Sequence, residues 1–209
     1  HIDNLVKSLK VYKINQRHTK ENIFKLLKLN INIKKRYNHL LRVALNKSII
    51  SISLRKKLKI NNNFSLKLVN YKRIRPEYKN LKYKTILKYL SKMNTTKSDI
   101  ALYVDNKILE TGTSNLLFVS KNKIYSPIKN FYKGTNLKFY EKKLKIIKKD
   151  ISLKNLYYYE EIILVGSGKS VTSVKFIEND NWRRKSLNIF KLISKLLSKE
   201  IKKKKYIYK

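Results

Sequence analysis

Residues 108–119 run Ile-Leu-Glu-Thr-Gly-Thr-Ser-Asn-Leu-Leu-Phe-Val. Two apolar runs flank the small residues Thr111-Gly112-Thr113-Ser114. Branched and aromatic side chains favour extended chain, whereas Gly, Ser and Asn favour turns. The stretch therefore predicts a strand, a turn and a second strand, with Glu110 at the end of the first. The same texture continues on either side. Strands are expected at 99–104 (DIALYV), 107–110 (KILE), 115–119 (NLLFV) and 122–125 (NKIY). A helix is expected over about 84–93 before them and another over about 136–146 after them. A strand at 161–165 (EIILV) leads into Gly166-Ser167-Gly168, and 171–177 forms another. A helix near 186–199 closes this part, with a frayed Lys-rich end from 201.

Upstream, residues 3–12 and 21–29 carry apolar side chains at helical spacing. A third, basic helix is expected over about 36–46. Strands are expected at 49–54 (IISISL) and 64–70 (FSLKLVN). The segment 71–80, with Arg73, Arg75 and Pro76, reads as a linker, because proline interrupts both helix and ladder. The expected organisation is a small α/β domain over 1–76 and a larger strand-rich domain over 77–209, without internal repeats. The chain begins at His1, so an N-terminal piece is expected to be missing.

The net charge of +38 arises from 51 Lys and Arg against 13 Asp and Glu. Such a charge first suggests a polyanion partner. Two features favour codon bias instead. Lys, Asn, Ile and Tyr, all with A/T-rich codons, dominate, and the basic residues are spread along the whole chain. A nucleic-acid-binding protein is kept as the competing class. There is no cysteine, which excludes disulfides and thiolate metal sites. His1, His18 and His39 form no ligand spacing. No apolar run approaches the roughly 20 residues that span a bilayer, and no signal peptide is visible. A cytoplasmic location is the expectation.

One motif fails. Gly166-Ser167-Gly168-Lys169-Ser170 resembles the end of a phosphate-binding P-loop, but the pattern needs glycine at position 163, where Ile163 stands. The following VTSVKFI is β-branched and reads as a strand, not as the helix a P-loop opens. What survives is a strand ending in a glycine-flanked serine, a turn able to offer N–H groups and a hydroxyl to phosphate.

Four segments in order resemble the class-IV aminotransferase family, the pyridoxal 5′-phosphate (PLP) enzymes of fold type IV. They are Lys84-Thr-Ile-Leu-Lys-Tyr89-Leu90, then 108–119, then Ser126-Pro127 with Lys133-Gly134-Thr135-Asn136, and last Glu161-Ile-Ile-Leu-Val-Gly166-Ser167-Gly168. The second is similar to the family's E-G-x-x-S-N-hydrophobic-F pattern and is the most specific. Over 1–75 the likeness is thin: His1, Leu5 and Ser8 resemble a family helix. The strands that precede that helix in the family, with their phosphate-binding arginine, are absent. The resemblance implies an α+β fold with a small N-terminal α/β domain, incomplete at its start, and a larger C-terminal α/β domain.

The resemblance also implies roles. Lys84 would carry the cofactor and shuttle the α-proton, which asks for an amine kept partly neutral by desolvation and neighbouring cations. Lys82 is the competing register. Glu110 would face the pyridine nitrogen, and Tyr89 the phenolic oxygen. Gly134, Thr135 and Asn136 open a helix whose N-terminus favours phosphate, although Asn136 is equally an ordinary cap. The family's arginine after this turn is replaced by Leu137 or Lys138. Ser167 would give its hydroxyl to the same phosphate. Ser114 and Asn115 are expected to fix the turn after Glu110. Three activities share such a site: aminodeoxychorismate lyase, which forms 4-aminobenzoate and pyruvate on the folate pathway, and branched-chain and D-amino acid aminotransferases. The short chain favours the lyase, and a homodimer is implied. A degenerate member without turnover is a further alternative.

Overall fold

The computed structural model describes residues 1–14, 20–32 and 37–205, with side chains to 203. The chain divides into two compact units, His1–Leu58 with Tyr78–Leu81, and Lys59–Glu77 with Lys82–Lys209. Residues 59–76, read from sequence as the end of the small domain, belong to the larger unit, and 64–70 are hydrogen bonded into its sheet.

The smaller unit holds α1 (Ile2–Val11), α2 (Lys20–Asn30) and a hairpin of β1 (His39–Leu45) and β2 (Ile50–Lys56). The helix expected over 36–46 is thus a strand, residue 36 and His18 lying outside the described residues. β1 pairs with β2 from His39↔Lys56 to Leu45↔Ile50. Asn46 closes the turn, its side-chain oxygen accepting the N–H groups of Ser48 and Ile49 at 2.9 and 2.7 Å. Such an Asx turn competes directly with continuing a helix. Leu9, Ile23 and Leu45 form the core of this unit.

The larger unit is one mixed sheet of nine strands. They are β3 (Phe64–Asn70), β4 (Ser98–Val104), β5 (Lys107–Thr111), β6 (Asn115–Ser120), β7 (Lys123–Ser126), β8 (Ile146–Lys148), β9 (Ile151–Ser152), β10 (Glu161–Gly166) and β11 (Ser170–Glu178). Their order is β8-β7-β6-β10-β11-β3-β4-β5-β9. β3 runs parallel to both β11 and β4, and β7 parallel to β8. The other ladders are antiparallel. Two tight hairpins turn on left-handed residue pairs, Asp105-Asn106 at φ 50° and 58° and Lys121-Asn122 at φ 48° and 58°. This is the twist that joins adjacent strands in two residues.

Three helices, α3 (Lys84–Leu90), α4 (Thr135–Lys143) and α5 (Asn188–Lys205), and a 3-10 turn (Leu153–Tyr158) complete the unit. β6 and β10 are buried on both faces, which explains their unbroken apolar runs. On one face Phe64, Leu66, Phe118, Ile162, Leu164 and Trp182 form a core. On the other, Leu117, Val119, Ile163 and Val165 lie under Leu137 and Tyr140 of α4 and Ile193 of α5. The expected helix over 136–146 stops at Lys143: Leu144 is extended (φ −135°, ψ 147°) and the chain continues into β8. Glu161 at the start of β10 anchors α5, its carboxylate accepting the N–H groups of Ile189 and Phe190 at 3.0 and 2.8 Å. The α+β expectation holds. Among the described residues no helix is long and apolar enough to cross a membrane.

Candidate active site

β4, β5 and β6 are consecutive in the chain, and the turn between the last two organises the site. The β4–β5 register passes from Leu102↔Glu110 to Tyr103↔Ile108, leaving Leu109 as a bulge. A bulge re-aims the neighbouring side chains, and here the neighbour is Glu110. Glu110 is 4% exposed. Its carboxylate accepts from the Arg73 guanidinium at 2.8 Å through Nε and 2.6 Å through Nη2, a fork-on-carboxylate geometry. The backbone N–H of Tyr132 lies 3.3 Å from the same carboxylate.

The turn itself is built from its own hydroxyls. Thr111 Oγ1 accepts the N–H groups of Thr113 and Ser114 at 3.2 and 2.8 Å. Asn115 then ties this turn to the start of α4: its side-chain N–H donates to the Tyr132 carbonyl at 2.6 Å, and its oxygen accepts the Gly134 N–H at 3.0 Å. A Cβ at Gly134 would stand 2.9 Å from that oxygen, and one at Gly166 only 2.5 Å from Ser114 Oγ. Glycine at both places lets the helix start and the Gly166-Ser167-Gly168 turn close on residues 114–115. Three of the four expected segments, those carrying Glu110, Gly134 and Ser167, are thereby brought together. Thr135 and Asn136 are half-buried in the first turn of α4, and Ser167 is exposed.

The fourth segment meets the turn through its apolar face. Ile86 of α3 packs on Val69, Ile100 and Leu102, and its Cγ2 lies 3.3 Å from where a Cβ on Gly112 would be. Tyr83 and Leu90 join this contact; Lys84, two positions before Ile86, falls on the other side of the short helix, and Tyr89 lies at the edge of the packed face. Both are exposed, Tyr89 at 39%. The desolvation expected for the Lys84 amine is not provided by the residues described. The competing Lys82 is exposed as well.

Residues that sequence reasoning passed over also contribute. Arg73, read as part of a linker, holds Glu110. Asp99 and Lys169 form a second buried pair, 3.0 Å apart. Burial lowers the Lys169 pKa, and the Asp99 carboxylate opposes that shift. The failed P-loop motif drew attention to Lys169 for the wrong reason, and nothing nearby in sequence indicates its partner. The residue types present suit the chemistry of PLP. A buried, ion-paired carboxylate is linked through Tyr132 and Asn115 to a helix N-terminus, and residues 114–115 also stand against the hydroxyl-bearing turn at Gly166-Ser167-Gly168.

The family model for class IV amino-transferases matches residues 1–177. Among solved structures, a 4-amino-4-deoxychorismate lyase candidate from Legionella pneumophila superposes with a TM-score of 0.79 at 15% identity, covering 95% of this chain and 84% of that one. A branched-chain amino acid aminotransferase candidate from Thermotoga maritima gives 0.76 at 14% identity, covering 93% and 77%. A Brucella abortus aminotransferase bound to PLP gives 0.58 at 13% identity, covering 71% and 57%. At these identities the likeness speaks for the fold. No curated protein matches the sequence.

Proposed function

The chain belongs to the class IV aminotransferase family of PLP-dependent enzymes, and from that premise we propose that it is an aminodeoxychorismate lyase, converting 4-amino-4-deoxychorismate to 4-aminobenzoate and pyruvate. The observation that carries the cofactor assignment is the Glu110 carboxylate, buried, gripped by Arg73 and joined through Tyr132 and Asn115 to the helix start at Gly134. The lyase reading draws on the likeness to the Legionella fold.

When bound, PLP supplies an aldehyde to capture an amine and a conjugated ring to accept electrons from the substrate's α-carbon. Glu110 would hold a proton on the pyridine nitrogen, and Arg73 would keep that carboxylate in place. Gly134, Thr135 and Asn136, at the N-terminus of α4, would bind the phosphate with Ser167, where the helix dipole favours an anion. Tyr89 would orient the phenolic oxygen. Lys84 would carry the cofactor and then move a proton at the α-carbon. Its exposed position requires the bound cofactor itself, or a second copy of the chain, to shield the amine.

The test begins with visible absorbance after adding PLP to the purified chain, followed by borohydride reduction and peptide mapping. The expected product carries the label on Lys84, and Lys84→Ala should remove it. Label on Lys82 or Lys169 moves the role to that residue; failure to take up PLP rejects the enzyme reading. Release of 4-aminobenzoate supports the lyase. Turnover of branched-chain or D-amino acids with 2-oxoglutarate, and none of aminodeoxychorismate, replaces it with a transaminase.

A further inference from the structure

Beneath the 111–114 turn lies a buried polar cluster that none of these cofactor contacts uses. Asp99, near the start of β4, is fully buried. Its carboxylate accepts the N–H of Ile100 at 2.8 Å, the hydroxyls of Thr111 and Thr113 at 3.0 and 2.6 Å, and Lys169 Nζ at 3.0 Å. Lys169 is 6% exposed. Its ammonium also donates to the Ser98 carbonyl at 3.2 Å and sits 4.6 Å from the centre of the Phe64 ring. A buried ammonium is costly unless well paired, so this arrangement holds its residues firmly. Lys169 directly follows Gly166-Ser167-Gly168, and its carbonyl accepts the Thr172 hydroxyl at 2.8 Å, pinning the exit of the turn. Asp99, in turn, grips two hydroxyls of the turn that follows Glu110. A single ion pair therefore joins the turn carrying Ser167 to the turn set by Glu110.

We propose that Lys169 is a positioning residue: clamped on Asp99, it fixes where the Ser167 turn stands relative to Glu110, and so the separation of the phosphate end from the ring end of the cofactor site. The inference rests on the cofactor assignment made above. Lys169 touches neither end in this role; it acts through the main chain of the turn it closes.

The experiment compares PLP with pyridoxal, the same ring without its phosphate, as ligands of the whole chain, followed by absorbance. The decisive variant combines Lys169→Met with Asp99→Asn. It removes both buried charges together and leaves net charge unchanged; circular dichroism checks its fold. PLP should bind about tenfold more weakly, the scale of one misplaced hydrogen bond to a charged group, while pyridoxal binds as before. Lys169→Arg, which keeps the charge but shifts it, should give a smaller loss, again confined to PLP. That variant decides alone if the double one does not fold. Equal weakening of both ligands, or no change in either, overturns the proposal. Failure of the unaltered chain to bind PLP is a different result, which removes the cofactor assignment and this inference with it.

Discussion

Arg73 and Glu110 are 37 residues apart in the chain yet meet as a forked ion pair with side chains 12% and 5% exposed. Removing one partner of such a pair leaves a buried charge without its counter-ion, at a cost of about 3 kcal/mol. Arg73→Met should therefore lower stability by that order in chemical denaturation, whereas Arg73→Met with Glu110→Leu should recover much of the loss. A single-variant cost below about 1 kcal/mol would mean that water reaches the carboxylate. Glu110 was legible from sequence because acids are scarce among 209 residues and this one sits beside a turn of recognisable chemistry. Arg73 was not, since one base among 51 carries no signal and its partner is set by tertiary packing alone. The exposure of Lys84 was hidden for a related reason. Residue order places it at a helix start, but which face of a seven-residue helix turns inward depends on what Ile86 finds beneath it.

Strands flanked by hairpin turns could be read directly, because Asp-Asn and Lys-Asn pairs accept the left-handed backbone that a two-residue connection needs. β1 was misread because Leu40, Val43 and Ala44 also suit a helical face. Pairing with β2 and the Asn46 turn decide otherwise. β8 went unseen for want of length, three residues being too few to show a period. Its link to α4 has a titratable component. Glu141 of α4 bonds to Lys133 and to Lys148 of β8. Burial alone would push the Glu141 carboxyl up, but the two lysines outweigh it and hold it below the ordinary value of 4.5. A lowered folded-state pKa gives stability that is present above the unfolded value and lost as pH falls through the folded one. Acid unfolding below about pH 4.5 should therefore be shallower in Glu141→Gln than in the parent chain. Parallel acid limbs in circular dichroism titrations would show that the contact contributes nothing.

Across the whole molecule, 51 basic residues face 13 acids, so self-repulsion weighs against the compact state. Salt screens such repulsion over about 10 Å at ~0.1 M. The thermal midpoint should accordingly rise on going from ~0.02 to ~0.3 M sodium chloride, within the range where the Debye length contracts most. A flat or falling midpoint would show that self-repulsion does not limit the stability of the compact state. The order of elements was largely open to sequence reading, but strand order was not. β3 lies beside β11, and Phe64 pairs with Val174 across more than half the chain. Seen from the ribosome, this single seam has a temporal meaning. The group β3-β4-β5-β9 and the group β6-β7-β8-β10 are each assembled from earlier chain, and only β11 bridges them. Until it emerges, both groups present a raw edge, so a nascent chain halted before residue 170 is the form most exposed to mispairing with its neighbours.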